Sequence, residues 1–148
     1  MLVFPTCEKA EAQIAPAALP KLSERQPLRI LLVEDHEDTN RSLTNLLRRR
    51  GYYVQSALNF QSAVNLGTKE QFDVLISDLA LPDGTGIDLM QKLHSTQPLF
   101  AIALTGFGME DDVRKSYEAG FQHHLVKPID LNKLDSLIQE GAAALPVV

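Results

Sequence analysis

The sequence contains little cysteine, no excess of basic residues and no long hydrophobic run. Its one cysteine, Cys7, excludes an internal disulfide, and its place outside the patterned part of the chain favours an incidental role over a catalytic one. The net charge of −5 and the pI near 5.3 argue against direct nucleic-acid binding, which favours a basic surface. No apolar stretch approaches the roughly 20 residues of a transmembrane helix, and the first residues lack the basic region of a signal peptide. We therefore expect a cytoplasmic protein without membrane contact.

The N-terminal part of the chain differs in composition from the rest. Residues 10–18 are mainly Ala, with Pro, Glu and Gln among them, and Pro20 and Pro27 follow. Such Ala/Pro-rich segments usually join domains rather than pack within one. A chain of 148 residues has room for one domain and a tail. We expect a linker or disordered tail over residues 1–27 and one folded domain over residues 28–145.

From Leu28 onward, short apolar segments alternate with stretches of helical periodicity. The segments are β-branched and do not alternate with polar residues, which is typical of strands buried on both faces. The intervening stretches carry apolar residues three and four positions apart, as in Leu43, Leu46 and Leu47. This succession of βα units predicts an α/β fold, a doubly wound parallel sheet with helices on both faces. The predicted strands are Ile30–Val33, Tyr52–Ala57, Phe72–Ser77, Leu99–Leu104 and His123–Val126.

Several of these strands lead into residues that carry chemistry. Glu34 and Asp35 follow the first strand and Asp78 the third, while Thr105 follows the fourth and Lys127 the fifth. Because ligands bind at the carboxyl ends of strands in open parallel sheets, we expect these side chains to form one site. Taken alone, Glu34 and Asp35 are equally consistent with a helix N-terminus, whose dipole favours acids, and Lys127 with a solvated surface residue.

The residue types at this predicted site suit a metal ion and a phosphoryl group. The carboxylates of Glu34, Asp35 and Asp78 would raise one another's pKa unless a cation were present. Hard oxygen ligands of this kind suit Mg²⁺ or Mn²⁺, and the Lys127 ammonium would neutralise a phosphoryl oxygen. Since Lys127 precedes Pro128, the chain is extended there and the bond between them is a candidate for a cis peptide.

The chain resembles the receiver domain of two-component response regulators in this set of strand-end residues. The set is Glu34-Asp35, Asp78, Thr105 and Lys127-Pro128. The resemblance covers roughly residues 28–145, and the stretch Asp78–Gly84 is similar to the turn after the family's phospho-accepting aspartate. It implies a flavodoxin-like sheet with strand order 2-1-3-4-5 and a function in phosphorelay signal transduction. The partner would be a histidine kinase or a histidine phosphotransfer protein.

The resemblance also implies a role for each matching position. Asp78 would be the nucleophile that takes a phosphoryl group from a phosphohistidine, in a Mg²⁺-dependent reaction that switches the domain between states. Thr105 and Lys127 would bind the phosphoryl oxygens. The isolated chain would not be an enzyme beyond catalysing its own phosphorylation. The ion would be held by Glu34, Asp35, Asp78 and the backbone carbonyl of Ala80.

The position three residues before Lys127 departs from the family's pattern, because it is most often Tyr or Phe and is His124 here. Thr105 and His124 are the expected switch pair, and a histidine would add pH sensitivity. His124 is equally consistent with a polar residue at a half-exposed strand position. We expect Phe107 to shield the phosphoryl group from water and His36 to be solvated. The face on which family members often dimerise or dock partners would contain Met109, Val113, Tyr117 and His124.

Three other functions are alternatives to a phosphorylated receiver. A hydrolase or phosphotransferase of the haloacid dehalogenase type needs a second acid two residues after its nucleophile, where this chain has Ala80. A flavodoxin-like cofactor binder needs a hydroxyl- or Gly-rich phosphate loop after the first strand, where residues 34–38 are mostly acidic. A pseudo-receiver that only binds partners would not need the reactive residues, all of which are present.

Two parent architectures remain open. Met1–Thr6 is similar to the final strand of histidine-kinase ATP-binding domains, which suggests the C-terminal receiver of a hybrid histidine kinase. The alternative is a free-standing regulator with a disordered N-terminal extension. We expect no DNA-binding domain, since Val148 comes soon after the last predicted helix.

Overall fold

A computed structural model of the chain describes residues 27–106 and 110–144 and contains a parallel sheet of five strands. The order of the strands is β2-β1-β3-β4-β5, which confirms the predicted flavodoxin-like fold. Every pair of neighbouring strands is parallel, so all carboxyl ends lie at one edge. The strands are β1 (Arg29–Val33), β2 (Tyr53–Ala57), β3 (Val74–Asp78), β4 (Phe100–Thr105) and β5 (His123–Val126).

Helices follow the strands and cover both faces of the sheet. On one face of the sheet, the core contains Ala63 of the second helix and Leu89 of the third. On the other face, the core contains Leu47 of the first helix and Leu134 of the last. Successive strand residues alternate between the two cores, which explains why the strands read as continuous apolar runs. The helices of the described residues are α1 (Glu37–Arg49), α2 (Phe60–Lys69), α3 (Gly86–His94), α4 (Glu110–Ala119) and α5 (Leu131–Ala144).

Two strands begin later than predicted, because a backbone N–H at the predicted start forms a hydrogen bond outside the sheet. Tyr52, predicted in β2, donates its N–H to Leu47 O at the end of α1, so β2 begins one residue later. Phe72, predicted in β3, is buried in a core but donates its N–H to the side chain of Gln97. Their apolar side chains do pack in or against a core, as predicted. Apolar character alone does not distinguish a strand residue from one in the turn that precedes the strand.

A small hairpin, absent from the predicted elements, connects β3 to α3. Ala80–Leu81 pairs antiparallel with Gly84–Thr85, where the sequence indicated only a turn. Thr85 then caps α3 by accepting a hydrogen bond from Asp88 N at 3.0 Å. The hairpin therefore begins two residues after Asp78 and ends at the start of a helix.

Within the described residues, no helix has the length and apolar character needed to cross a membrane. The expected tail, the Met1–Thr6 similarity, Phe107 and Met109 lie outside the described residues.

Candidate functional site

Glu34 lies at the carboxyl end of β1 with a fully buried side chain. Its backbone N–H donates to Ala57 O at 3.1 Å, and its Oε2 accepts the backbone N–H of His36 at 3.0 Å. The Asn40 amide, from the first turns of α1, donates at 3.0 Å to both Glu34 O and Ala57 O. These contacts tie the ends of β1 and β2 to α1 and fix the orientation of a buried carboxylate.

Lys127 connects this carboxylate to that of Asp78. Its Nζ lies 2.8 Å from Glu34 Oε1 and 2.8 Å from Asp78 Oδ2. The Lys127–Pro128 peptide bond is cis, as the sequence predicted, and the Lys127 N–H donates to Thr105 O at 2.7 Å. The ends of β1, β3 and β5 therefore meet through one ammonium group.

Asp78 is the last residue of β3 and is itself buried. Its carbonyl oxygen accepts the Ser77 hydroxyl at 2.9 Å. A Cβ atom at Gly86 would lie 2.5 Å from that same oxygen, so the start of α3 approaches the backbone of Asp78 as only glycine allows. Gly86 was not singled out from the sequence, although a glycine can mark a place where another backbone approaches closely.

The three charged groups shift one another's proton affinities in different directions. Burial raises the pKa of Asp78, and the nearby Glu34 charge adds to this, so that its pKa stays above the usual value despite the Lys127 ammonium. Burial also pushes the pKa of Glu34 upward, but Lys127 and the His36 N–H outweigh it and the net pKa is lowered. Burial lowers the pKa of Lys127, but its bonds to Asp78 and Glu34 raise it overall. The ammonium therefore keeps its proton between the two acids.

The donor set beside Glu34 fits a hard divalent cation. Ligand atoms of Glu34, Asp35 and His36 all lie within 4.8 Å of one another. Among the described residues, Glu34 Oε1 accepts no well-directed hydrogen bond, although the ammonium is its ion-pair neighbour. Carboxylate oxygens with water are the ligands that Mg²⁺ prefers, and the exposed Asp35 leaves room for that water. The His36 side chain is 74% exposed, in agreement with its predicted solvation.

Thr105 and His124 lie near the site without joining the ion pairs. The Thr105 side chain is buried at the end of β4, and its hydroxyl donates to Leu125 O at 3.3 Å, toward β5. His124 is half-buried on β5, where its Nδ1 lies 2.7 Å from the Tyr117 hydroxyl of α4 and the two rings meet edge-on. His123 contacts Glu140 on α5, so the two histidines point to opposite faces of the sheet, as neighbouring residues of a strand do.

Asn40 is another residue of this region that was not singled out from the sequence. It lies on the buried stripe of α1 with Leu43, Thr44 and Leu47. An amide side chain on a helical face that also carries two leucines is a signal that could have found it, because a buried amide needs partners. Its partners here are the carbonyls at the ends of β1 and β2.

Fold and site together define a doubly wound α/β domain with an acidic, lysine-bridged centre at the carboxyl ends of its strands. The chain belongs to the response regulator receiver domain family, whose model matches residues 30–139. Its function is that of a receiver in two-component phosphorelay signalling.

Known proteins with similar sequences or structures include both short and long chains. An uncharacterized 14.6 kDa protein of Leptolyngbya boryana is 35% identical over 79% of this chain and 92% of its own length. The response regulator protein PilR of Pseudomonas aeruginosa is also 35% identical, over 73% of this chain, but this chain spans only 24% of PilR. A solved complex of the Saccharomyces cerevisiae phosphotransfer protein Ypd1 contains the receiver domain of the response regulator Ssk1. That match has a TM-score of 0.75 at 25% identity, over 83% of this chain and 94% of the other.

Proposed function

We propose that Asp78 is the phosphoryl acceptor of this receiver domain. In the proposed reaction a carboxylate oxygen of Asp78 attacks the phosphorus of a phosphohistidine. The P–N bond breaks as the new O–P bond forms, and the leaving imidazole keeps the electron pair and takes up a proton. The product is an aspartyl phosphate, which adds negative charge and three acceptor oxygens to the end of β3.

The observation that carries this proposal is the position of the Lys127 ammonium, 2.8 Å from both Asp78 and Glu34. Phosphoryl transfer depends mainly on positioning and on neutralising charge at the phosphoryl oxygens. An ammonium already held against the nucleophile is placed to bind one of those oxygens as they arrive. The buried setting of Asp78 strengthens that electrostatic contribution, because water screens it less.

Mg²⁺ is the proposed cofactor, and when bound it would neutralise part of the negative charge that accumulates during transfer. Its proposed ligands are Glu34 and Asp35, directly or through water, with Asp78 and the carbonyl of Ala80. The acidic cluster at the end of β1 supports this choice.

Thr105 and His124 are the proposed switch residues. The Thr105 hydroxyl, which bonds to Leu125 O in the structure, would turn to a phosphoryl oxygen after transfer. That turn would empty space beside β5, and His124 with its Tyr117 partner would adjust to it. The proposed phosphodonor is a histidine kinase or a histidine phosphotransfer protein, as the Ypd1 complex of a similar receiver suggests.

The test is incubation of the protein with acetyl phosphate and Mg²⁺, followed by intact-mass measurement. We expect one added phosphoryl group in the wild type. The adduct should be absent from Asp78→Ala and from the wild type without metal, because both the nucleophile and charge neutralisation are required.

Asp73→Ala is the matched control, since Asp73 precedes β3 at the opposite end and accepts the N–H of Arg29. It should still be phosphorylated. An adduct that persists in Asp78→Ala would contradict the assignment. A wild type with no adduct and no response to beryllofluoride would indicate a pseudo-receiver.

A further inference from the structure

The hairpin after Asp78 is too short to hold its own shape. Each of its strands, Ala80–Leu81 and Gly84–Thr85, has two residues, and even longer isolated hairpins are only marginally stable in water. Under the proposed function this hairpin carries the Ala80 carbonyl that would bind the metal. Contacts from outside the hairpin must therefore hold that carbonyl in place.

Asp83, in the turn of the hairpin, makes such a contact. Its Oδ1 accepts the backbone N–H of Phe60 at 2.7 Å, and its Oδ2 accepts that of Gln61 at 3.1 Å. Phe60 and Gln61 are the first two residues of α2, whose N–H groups have no partner within the helix. The carboxylate of Asp83 thus caps a helix that lies 22 and 23 residues away in sequence.

The cap of α2 is divided between two side chains. Asn59, the residue that precedes the helix, accepts the N–H of Ser62 at 2.8 Å. Asp83 accepts the N–H groups of Phe60 and Gln61, to which the Asn59 side chain does not bond. Asn59 therefore stabilises α2 locally, whereas Asp83 joins α2 to the hairpin.

Side-chain packing strengthens the same junction. A Cβ atom at Gly84 would lie 2.7 Å from the Phe60 ring, so the ring rests directly on the hairpin backbone. Phe60 and Leu81 both pack against the core that contains Leu79. At its other end the hairpin is fixed by the bond from Gly86 N to Leu79 O at 3.0 Å.

We propose that Asp83 is a positioning residue for the metal site, because its paired hydrogen bonds to the start of α2 hold the hairpin that carries the Ala80 carbonyl. This inference rests on the proposed Mg²⁺ site and adds a residue to its support. Groups that orient metal ligands typically contribute a factor of ten or more to metal affinity. Asp83 is not a ligand itself in this arrangement.

The test compares Asp83→Ala with Asn59→Ala, since both remove a cap of α2 but only the first releases the hairpin. Mg²⁺ affinity is followed by amide chemical shifts, because the chain has no tryptophan to report binding. We expect Asp83→Ala to weaken Mg²⁺ binding roughly tenfold and Asn59→Ala to leave it unchanged. Hydrogen exchange of residues 80–85 in metal-free protein should be faster in Asp83→Ala alone.

Asp83→Asn separates hydrogen bonding from charge. It keeps one acceptor oxygen, so we expect a loss of affinity smaller than that of Asp83→Ala. Equal losses in the two variants, with unchanged exchange of the hairpin, would mean that Asp83 only attracts the ion through space and would overturn the inference. Equal effects of Asp83→Ala and Asn59→Ala would also overturn it. A wild type that binds no Mg²⁺ would instead overturn the proposed site, and the exchange data would still decide whether Asp83 holds the hairpin.

Discussion

At the scale of single residues, Lys127 decides the electrostatics of the centre. Glu34 has no solvent exposure, and the Lys127 side chain retains 27% of its own. A buried carboxylate is costly unless an opposite charge lies next to it. Lys127 supplies that charge to two carboxylates at once, because its ammonium lies 2.8 Å from an oxygen of each.

Lys127→Met keeps most of the side-chain volume and removes the charge. We expect the metal-free variant to lose about 2 kcal/mol of unfolding free energy, since Glu34 and Asp78 then lie unpaired and repel each other. Its Mg²⁺ affinity should rise, because the ion no longer competes with an ammonium. Urea unfolding with and without Mg²⁺ measures both effects.

The control for this variant is Lys133→Met, which removes a lysine from an exposed position on α5. It should change the unfolding free energy by no more than about 0.5 kcal/mol. A Lys127→Met variant with unchanged metal-free stability would contradict the bridging role. Weaker Mg²⁺ binding would contradict the competition.

At the scale of elements, polar contacts join the end of α1 to the start of α5. The Tyr52 hydroxyl donates to Asp135 Oδ1 at 2.5 Å, and the Arg50 guanidinium donates to Asp135 Oδ2 at 3.1 Å. The same guanidinium also bonds to Asn132 at 3.1 Å. Both helices cover the same core of the sheet, so these bonds fix the spacing of two helices that share one face.

Tyr52 should make this junction sensitive to alkaline pH. Burial, with the hydrogen bond to Asp135 and its charge, raises the pKa of Tyr52 from 10.0 to about 12. Because the folded pKa is the higher one, the stabilisation is complete below about pH 10 and is lost as pH rises toward 12. Tyr52→Phe should lose about 1 kcal/mol at neutral pH, with the difference shrinking over that window.

The measurement is the phenolate absorbance of the wild type minus that of Tyr52→Phe, with circular dichroism to confirm that both remain folded. A difference titration centred near the ordinary tyrosine pKa of 10.0 would show that Asp135 does not hold the hydroxyl. Urea unfolding at neutral and alkaline pH supplies the stabilities.

At the scale of the whole molecule, the described residues 27–106 and 110–144 bury two apolar cores, one on each side of the sheet. Both cores are built from residues between Leu28 and Ile138. Burial of apolar surface is the main favourable term in folding. These residues therefore supply the main stabilising interactions of a domain.

A chain that begins at Pro27 should fold as well as the full chain. We expect its unfolding free energy to agree within about 0.5 kcal/mol, with the same urea dependence, because the Ala/Pro-rich segment is predicted to act as a linker. Urea unfolding of both chains tests this. A lower midpoint or a smaller urea dependence in the shorter chain would mean that residues 1–26 pack against the domain.

Local signals were sufficient for the architecture. The β-branched runs and the helical stripes indicated the five strands of the sheet and the helices between them, since each follows from periodicity within one segment. The errors were the short hairpin after Asp78, which was predicted only as a turn, and boundaries such as Tyr52 and Phe72, whose backbone N–H groups bond outside the sheet. The sequence also predicted which side chains lie at the carboxyl ends of the strands: Glu34, Asp35, Asp78, Thr105 and Lys127.

The sequence by itself determined which residue types lie at that edge, because all strands of a parallel βα sheet have their carboxyl ends at the same edge. Only the tertiary structure decided how those side chains pair. The Lys127 ammonium pairs with Glu34 and Asp78, which are 93 and 49 positions away in the chain. The Thr105 hydroxyl bonds to Leu125, 20 positions away, and Asp83 caps α2 at Phe60, 23 positions away. Such contacts depend on side-chain directions within a packed fold, and no local pattern encodes them.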